Sequence, residues 1–316
     1  MTYTLTPLSS AAMQATLDQI WIASQNADDR AFRPRGGWWP LSRWAARGAL
    51  LLADGIPVGG FAMNTAPDRA LEARLALLPE HRTSDAAHLL VGAARQQAQR
   101  AGSPLLRLTL PAGAMWAREA AAAAGLTVAR SILVMLRPAA RGPLLAPDVP
   151  GVTIRPLAPG EEGRLLHALN HAWAGTWNFR PLTRRALDRD LADQRAGFLV
   201  AADPLERIVG TVHAQFDPAS RNPDGATYAW IANLTTAPEW RGRRLGRALL
   251  SAAVARLHDQ GARSVTLGVD GGAAAPLALY RSAGFAEIDR LELWERALQL
   301  PTPALGAPGT QPGVSV

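Results

Sequence analysis

The chain repeats itself, and the repeat sets what it can fold into. "PEHR" at 79–82 returns as "PEWR" at 238–241, an offset of 159 residues that also carries Gly102 to Gly261 and Gly125 to Gly284. Matching pieces lie between these markers: an apolar helical pattern ("HLLVGAARQQAQRAG" and "ALLSAAVARLHDQG"), a strand ("LLRLTL" and "SVTLGV"), and a small-residue helix ending "AAAAAGL" or "LYRSAGF". A fixed internal period means that one supersecondary unit has been used more than once. With 316 residues, the chain has room for two units of domain size.

Each unit reads strand, one or two helices, a strand pair, a longer strand, then helix, strand, helix, strand. Residues 49–53 and 56–63 read as the first hairpin, and 198–202 and 207–216 as the second. Strands interleaved with helices argue an α/β (mixed α+β) layer architecture. The stretch "RPAARGPLLAPDVPG", 137–151, is rich in proline and glycine, lacks periodicity and reads as a linker. The expected division is therefore 1–140 and 150–298, with "PTPALGAPGTQPGVSV" at 301–316 as a disordered tail.

Composition excludes several classes. Hydrophobic residues are 48% and charged residues 19%, as in chains that bury a core. Apolar runs such as "ALLLA" are too short to span a bilayer, and "MTYTLTPLSS" lacks the pattern of a signal peptide. Cysteine is absent, which removes disulfides, thiolate metal sites and cysteine nucleophiles and fits a cytoplasmic protein. His167 and His171 are four apart on a helical pattern, but no third ligand accompanies them, so no metal is expected. The net charge is +7 and every basic side chain except histidine is arginine. Positive charge favours anionic partners, yet the arginines are scattered, which speaks against nucleic acid.

The most informative stretch is "PEWRGRRLGRALL", 238–250. It lies between a β-branched and aromatic run, "ATYAWIANLTT", and a helical pattern at Leu249, Leu250, Ala253, Val254 and Leu257. The first amides of a helix have no internal partners and attract anions, aided by the helix dipole. Gly242 and Gly246 let the backbone turn and approach a ligand, and the arginines add forked donors. A P-loop is excluded because the chain has no lysine, and "GRRLGR" lacks the dinucleotide spacing G-x-G-x-x-G.

This strand–loop–helix, with its R-x-x-G-x-G/A spacing, resembles the pyrophosphate-binding motif of the GCN5-related N-acetyltransferases, the GNAT superfamily. "LALYRSAGF" is similar to that family's tyrosine shortly before Gly-Phe. The resemblance covers nearly all of 152–297. It implies two tandem domains, each with a mostly antiparallel central sheet flanked by helices, and acetyl-CoA as cofactor. Leu234, Thr235 and Thr236 would meet the pantetheine arm, and Arg241, Gly242, Arg243, Arg244, Leu245, Gly246 and Arg247 the phosphates. Arg244 replaces the middle glycine of the motif, which implies a looser turn, and Ala273 stands where many relatives have asparagine. In the first unit, Asp85, Ala87 and Ala121 stand at the positions of Arg244, Gly246 and Tyr280. A carboxylate ~4–6 Å from a phosphate is repelled by about a kcal/mol or more, so the first unit should keep the fold and lose the cofactor. The layout is similar to the mycothiol synthases and other double-domain acetyltransferases with one degenerate half.

The resemblance further implies transfer of an acetyl group to a primary amine of a small molecule by direct attack in a ternary complex. Tyr280 stands where the family places the acid that protonates the departing sulfur, though a core tyrosine is also consistent with its helix. Relatives carry a glutamate base on the long strand, and Trp230 occupies that position. His213 could act through water or be a buried strand histidine. Tyr228 and Trp230 share one strand face by period-2 alternation. With Trp173, Trp177 and Phe179 of "NHAWAGTWNFRPLT", they suggest aromatic walls for an apolar amine or a cation. The missing glutamate leaves a rival reading, a non-catalytic acyl-CoA-binding regulatory protein.

Overall fold

The computed structural model describes residues 1–28, 41, 47–177, 179–222 and 225–299. The expected tail at 301–316 lies outside them. The first unit runs β1 (Tyr3–Pro7), α1 (Ala11–Asp28), β2 (Arg47–Ala53), β3 (Ile56–Thr65), β4 (Leu71–Leu77), α2 (Ser84–Arg100), β5 (Leu105–Pro111), α3 (Met115–Ala123) and β6 (Thr127–Pro138). The second runs β7 (Thr153–Pro156), α4 (Glu162–Trp173), α5 (Arg184–Gln194), β8 (Phe198–Ala202), β9 (Ile208–Arg221), β10 (Thr227–Thr236), α6 (Leu245–Asp259), β11 (Ser264–Asp270), α7 (Ala274–Ser282) and β12 (Ala286–Ala297).

Both hairpins form where the sequence places them. The first closes through Asp54 and Gly55, both at positive φ (46° and 87°), the pairing that a tight hairpin turn selects. The flanking strands are apolar at successive positions because both faces are covered. Leu51, Phe61, Met63, Leu75 and Leu77 pack against α2, while Leu50, Ala62 and Ala76 pack against α1. The second unit repeats this: Leu199 and Ala201 join the core beneath α6, and Phe198 and Val200 the core beneath α4 and α5.

The two units share one sheet. Its order is β1-β2-β3-β4-β5-β12-β6-β11-β10-β9-β8-β7. Only β4–β5 and β10–β11 are parallel pairs; every other neighbour is antiparallel. The last strand of each unit crosses over: β12 pairs with β5 over Leu291↔Pro111 to Ala297↔Leu105, and β6 pairs with β11 over Ser264↔Pro138 to Asp270↔Ile132. Trp294 and Leu298 therefore complete the first core, and Leu133 and Met135 the second. The sequence implied two sheets; exchange of the last strands makes them one. It also gives residues 137 and 138, read as the start of the linker, to β6.

Polar contacts reinforce the seam. Arg107 on β5, only 1% exposed, donates to Asp68 (2.7 Å), Glu72 (3.0 Å) and Glu295 of β12 (2.6 Å). Of the three, Glu295 lies across the seam, directly opposite Arg107 in the ladder, so the buried guanidinium is partnered from both units and favours this register. The seam also keeps the internal symmetry. Arg137 of β6 donates to the Ala283 carbonyl at the end of α7, and Arg296 of β12, 159 residues later, donates to the Ala124 carbonyl at the end of α3. A cation at a helix C-terminus complements the dipole. Among the described residues, no helix is long and apolar enough to cross a membrane.

Because β6 and β12 are held in the opposite unit, cutting the connection should not release the units. With a protease site engineered within 143–148, the two cleaved fragments are expected to co-elute on size exclusion in native buffer and to separate in denaturant. Two folded fragments eluting apart without denaturant would contradict the exchange.

Candidate active site

The site starts where β10 stops pairing. The β10–β11 register covers Trp230↔Thr266 and Ile231↔Leu267. Beyond it the strands diverge, so the backbone of 232–236 facing β11 lies outside the ladder. On the other edge, the β9–β10 ladder shifts register between Ile231 and Asn233, a bulge that re-aims the strand. The corresponding β3–β4 ladder of the first unit runs from Gly59↔Leu77 to Thr65↔Leu71 with no shift.

After β10, a single 3-10 turn (Pro238–Trp240) leads into the arginine-glycine loop. Gly242 (φ 76°) and Arg244 (φ 64°, ψ 6°) are both left-handed. The family's middle glycine suits this geometry. With arginine there the turn is kept, at a backbone cost of roughly 1–2 kcal/mol; the looser turn expected from the sequence is not what forms. Arg244 is also the N-cap of α6 and makes no side-chain capping bond. Among the described backbone bonds outside helices and strands, Arg241 N–H donates to Pro238, and the next donor along the loop is Arg247, to Arg244. The intervening amides are available to an anion.

These amides open onto a cleft of about 650 Å³, lined by Leu234, Thr235, Thr236, Arg241, Gly242, Arg244, Leu245, Gly246, Arg247 and Tyr280, with Trp173 and Leu279 among its walls. A Cβ on Gly246 would come no closer than 3.5 Å to Leu279 and 3.7 Å to Thr236. Protein packing does not require glycine there; the space a side chain would take is the cleft. Free helix-start amides, arginines and a cradle at Gly246 fit the diphosphate of coenzyme A. Tyr280 is 7% exposed and packs edge-on to Phe285 at 6.0 Å. Burial pushes its phenol up to about 12, so it stays protonated through the neutral range. Ala273, the N-cap of α7, makes no side-chain cap bond; this is the contact given up at that position.

A second cavity, about 480 Å³, shares Trp173 and Thr176 with the cleft. Trp177 and Phe179 line it, as the aromatic pattern led one to expect, together with Phe198, Asn170, Arg180, Asn233 and Asp270. The guanidinium groups of Arg107 (4.8 Å) and Arg130 (4.6 Å), both from the first unit, lie over the Trp177 ring, and Arg130 pairs with Asp270. Sequence reasoning missed Asp270, although its place at the carboxyl end of β11, where the strands part, was a usable signal. Arg130 carried none, because it reaches the site only through the exchanged strand.

Other expectations need correction. Arg243 does not line the cleft; its guanidinium lies over the Trp240 ring at 4.9 Å. Arg241 lines it but turns Nη2 to the Ala172 carbonyl (3.0 Å), holding the end of α4. His213 is 3% exposed and stacks on Phe198 at 3.9 Å, so that ring stands between it and the cavity. Trp230 sits inside the ladder opposite Gln215 and Thr266 and lines neither opening. Tyr228 pairs with Asp217, further back along β10; its side chain lies outside the described residues. His171 pairs with Glu239 at 3.1 Å.

The acetyltransferase (GNAT) family profile matches residues 164–285, the span that builds the cleft and most of the cavity's lining. A mycothiol acetyltransferase of Thermobispora bispora is 34% identical over 247 residues, 75% of this chain and 79% of that protein. One of Streptomyces avermitilis is 31% identical over 258 residues, 75% and 76% of the two chains. The chain belongs to the GNAT family. Among solved structures, a GNAT protein of Sphaerobacter thermophilus has a TM-score of 0.67 at 22% identity, over 93% of this chain and 95% of its own. A tandem GNAT protein of clavulanic acid biosynthesis has 0.65 at 16%, over 94% and 98%. The family's acetyltransferases use acetyl-CoA as donor.

At the matching positions of the first unit, the side chains are bonded to one another and to the helix start. Thr83, at the position of Gly242, caps α2 by accepting from Ala86 N–H. Helix α2 therefore begins at Ser84, two residues earlier than α6 does by the repeat. Asp85 falls in its first turn, where a carboxylate offsets the helix dipole from within. Trp116, at the position of Ala275, donates to Asp28 at 3.2 Å, and Arg82, at that of Arg241, reaches the same carboxylate oxygen at 2.9 Å. Indole, guanidinium and carboxylate thus meet where the second unit keeps an opening.

Backbone space should matter more here than any one arginine. Gly246→Glu is expected to abolish acetyl-CoA binding with the fold retained. Arg243→Ala should weaken binding only a few-fold, on the ~0.2–1 kcal/mol scale of exposed charges. Calorimetric titration of both variants, with circular dichroism for folding, decides; parental affinity in Gly246→Glu would mean that the loop is only a decorated helix start.

Proposed function

We propose that this acetyltransferase moves an acetyl group from acetyl-CoA to a primary amine of a small molecule, by direct attack in a ternary complex formed at the second unit. The observation that carries the reading is the meeting of two openings at Trp173 and Thr176: one has free amides at a helix start, the other aromatic walls. Acetyl-CoA supplies an acyl thioester. The loop amides of 242–246, with Arg244 and Arg247, hold its diphosphate, and the unpaired edge of 234–236 holds the arm. The side chains bonded together at the matching positions of the first unit, Arg82, Trp116 and Asp28, support a single cofactor site per chain.

The remaining steps belong to the chain's own groups. Backbone amides at 234–236 face the negative charge that develops on the acyl oxygen, where fixed donors act without reorganisation. As the C–N bond forms and the C–S bond breaks, the Tyr280 hydroxyl gives its proton to the departing sulfur, the attacking nitrogen loses one proton to solvent, and the phenolate, strongly basic in its buried place, takes a proton back from solvent. A phenol raised to about 12 is fully protonated at neutral pH. The acceptor sits among Trp173, Trp177 and Phe179, with the Asp270 carboxylate at hand for its ammonium. His213 is set aside as the base because Phe198 covers it. An acceptor that arrives partly neutral needs none. The relatives named mycothiol acetyltransferase make mycothiol chemistry the first to test.

Tyr280→Phe tests the mechanism. It removes an interaction made in the transition state, so kcat should fall by about 100-fold or more while acetyl-CoA affinity stays nearly constant. An unchanged kcat, with chemistry shown to limit turnover, would take Tyr280 out of the reaction.

A further inference from the structure

Arg137 is 2% exposed, and the charged groups that act on it are the cations Arg141 and Arg247. Its Nε donates to the Ala283 carbonyl (2.9 Å) and one terminal nitrogen to Gly142 (2.6 Å), while Nη1 is buried with no partner among the described residues. Arg141 lies beside it: from the Cβ position of Gly284, the Arg141 side chain is 3.6 Å away and Arg137 Nε 3.9 Å. Arg247 reaches the same helix end, donating to Ser282 Oγ at 3.0 Å. Three guanidinium groups thus converge on residues 282–284. No carboxylate forms an ion pair with any of them among the described residues.

Capping of α7 does not account for this. A helix C-terminus carries about half a negative charge, and one arginine answers it. The first unit shows as much, since Arg296 caps α3 at the equivalent carbonyl. The positions equivalent to Arg247 and Arg141 there are His88, bound to Ser84, and Leu300. The extra cations occur in the unit that carries the cleft at 242–246. Arg247 belongs to both places: it lines the cleft beside the loop amides and touches Ser282. Burial, and then the charges of Arg141 and Arg247, press the Arg137 guanidinium below its usual value, the signature of a charge without a counter-ion.

We propose that Arg141 and Arg247, over the buried charge of Arg137, seat a phosphomonoester, and that it is the 3′-phosphate on the ribose of coenzyme A. This rests on the cofactor reading above. The chemistry follows from the covalent structure of the ligand: the ribose carries that dianion a few bonds from the diphosphate held at 242–246. Exposed Arg141 and half-buried Arg247 make the contacts, and Arg137 adds positive potential from below while holding Gly142 and Ala283. The stretch after β6 is then more than a connection, because it brings Arg141 to the cofactor of the following unit.

The test compares CoA with dephospho-CoA, which lacks only this phosphate, on the full chain by calorimetry. The parent protein should bind CoA at least about tenfold more tightly, the scale of one charge-assisted hydrogen bond. Arg141→Ala, an exposed change, should close most of that gap by weakening CoA while leaving dephospho-CoA affinity unchanged. Adenosine 3′,5′-bisphosphate should compete better than AMP or inorganic phosphate. Equal affinities for the two coenzymes in the parent would overturn the seat and leave the cofactor reading intact, as would an Arg141→Ala variant that weakens both alike. Competition by inorganic phosphate as effective as by the bisphosphate would mean a free-phosphate site instead. Failure to bind either coenzyme would remove the cofactor reading itself.

Discussion

The exchange of β6 and β12 is the contact on which the rest of this molecule depends. Each unit ends in a strand that its own β5 or β11 does not pair with, so each core is completed by the other unit: Trp294 and Leu298 in one direction, Leu133 and Met135 in the other. A unit deprived of its partner would expose a strand edge and lose part of its core. Duplication supplied two copies of a fold, and exchange made them mutually dependent.

That dependence explains what the first unit contributes to the second. Through β5 and β6 it places Arg107 and Arg130 against the Trp177 ring and pairs Arg130 with Asp270. One wall of the proposed acceptor cavity is thus set by residues of the first unit. The proposed cofactor cleft is built almost wholly from the second unit, and the acceptor cavity is not. The donor side can stay constant in such an arrangement while the acceptor side varies with the first unit.

The two helix starts show how little separates an anion site from a capped helix. Helix α2 has Thr83 as its cap and Asp85 in its first turn, and it begins two residues early. Helix α6 has left-handed Arg244 at its cap and no side chain over its amides. Local capping contributes about 1 kcal/mol; a loop that forgoes it, and holds a left-handed arginine besides, stores strain of the kind found at functional sites.

The sequence by itself determined the repeat, the order of elements, both hairpins, and the strand–loop–helix at 234–247, because these rest on local rules: hydrophobic period, turn residues and helix starts. It also determined the asymmetry between the units, legible as Asp85 and Ala121 against Arg244 and Tyr280. Tertiary structure alone decided which strand pairs with which. Crossing β6 and β12 leaves every local pattern unchanged, since a strand completes a neighbouring sheet as well as its own. For the same reason Arg130 and Asp270, 140 residues apart, could not be joined on paper. Trp230 was misjudged as a site residue because alternation tells which residues share a face and not what covers that face, and of the two readings open for His213 the buried strand histidine is the one that forms. Phe198 and the ladder do the covering, and only packing reveals them.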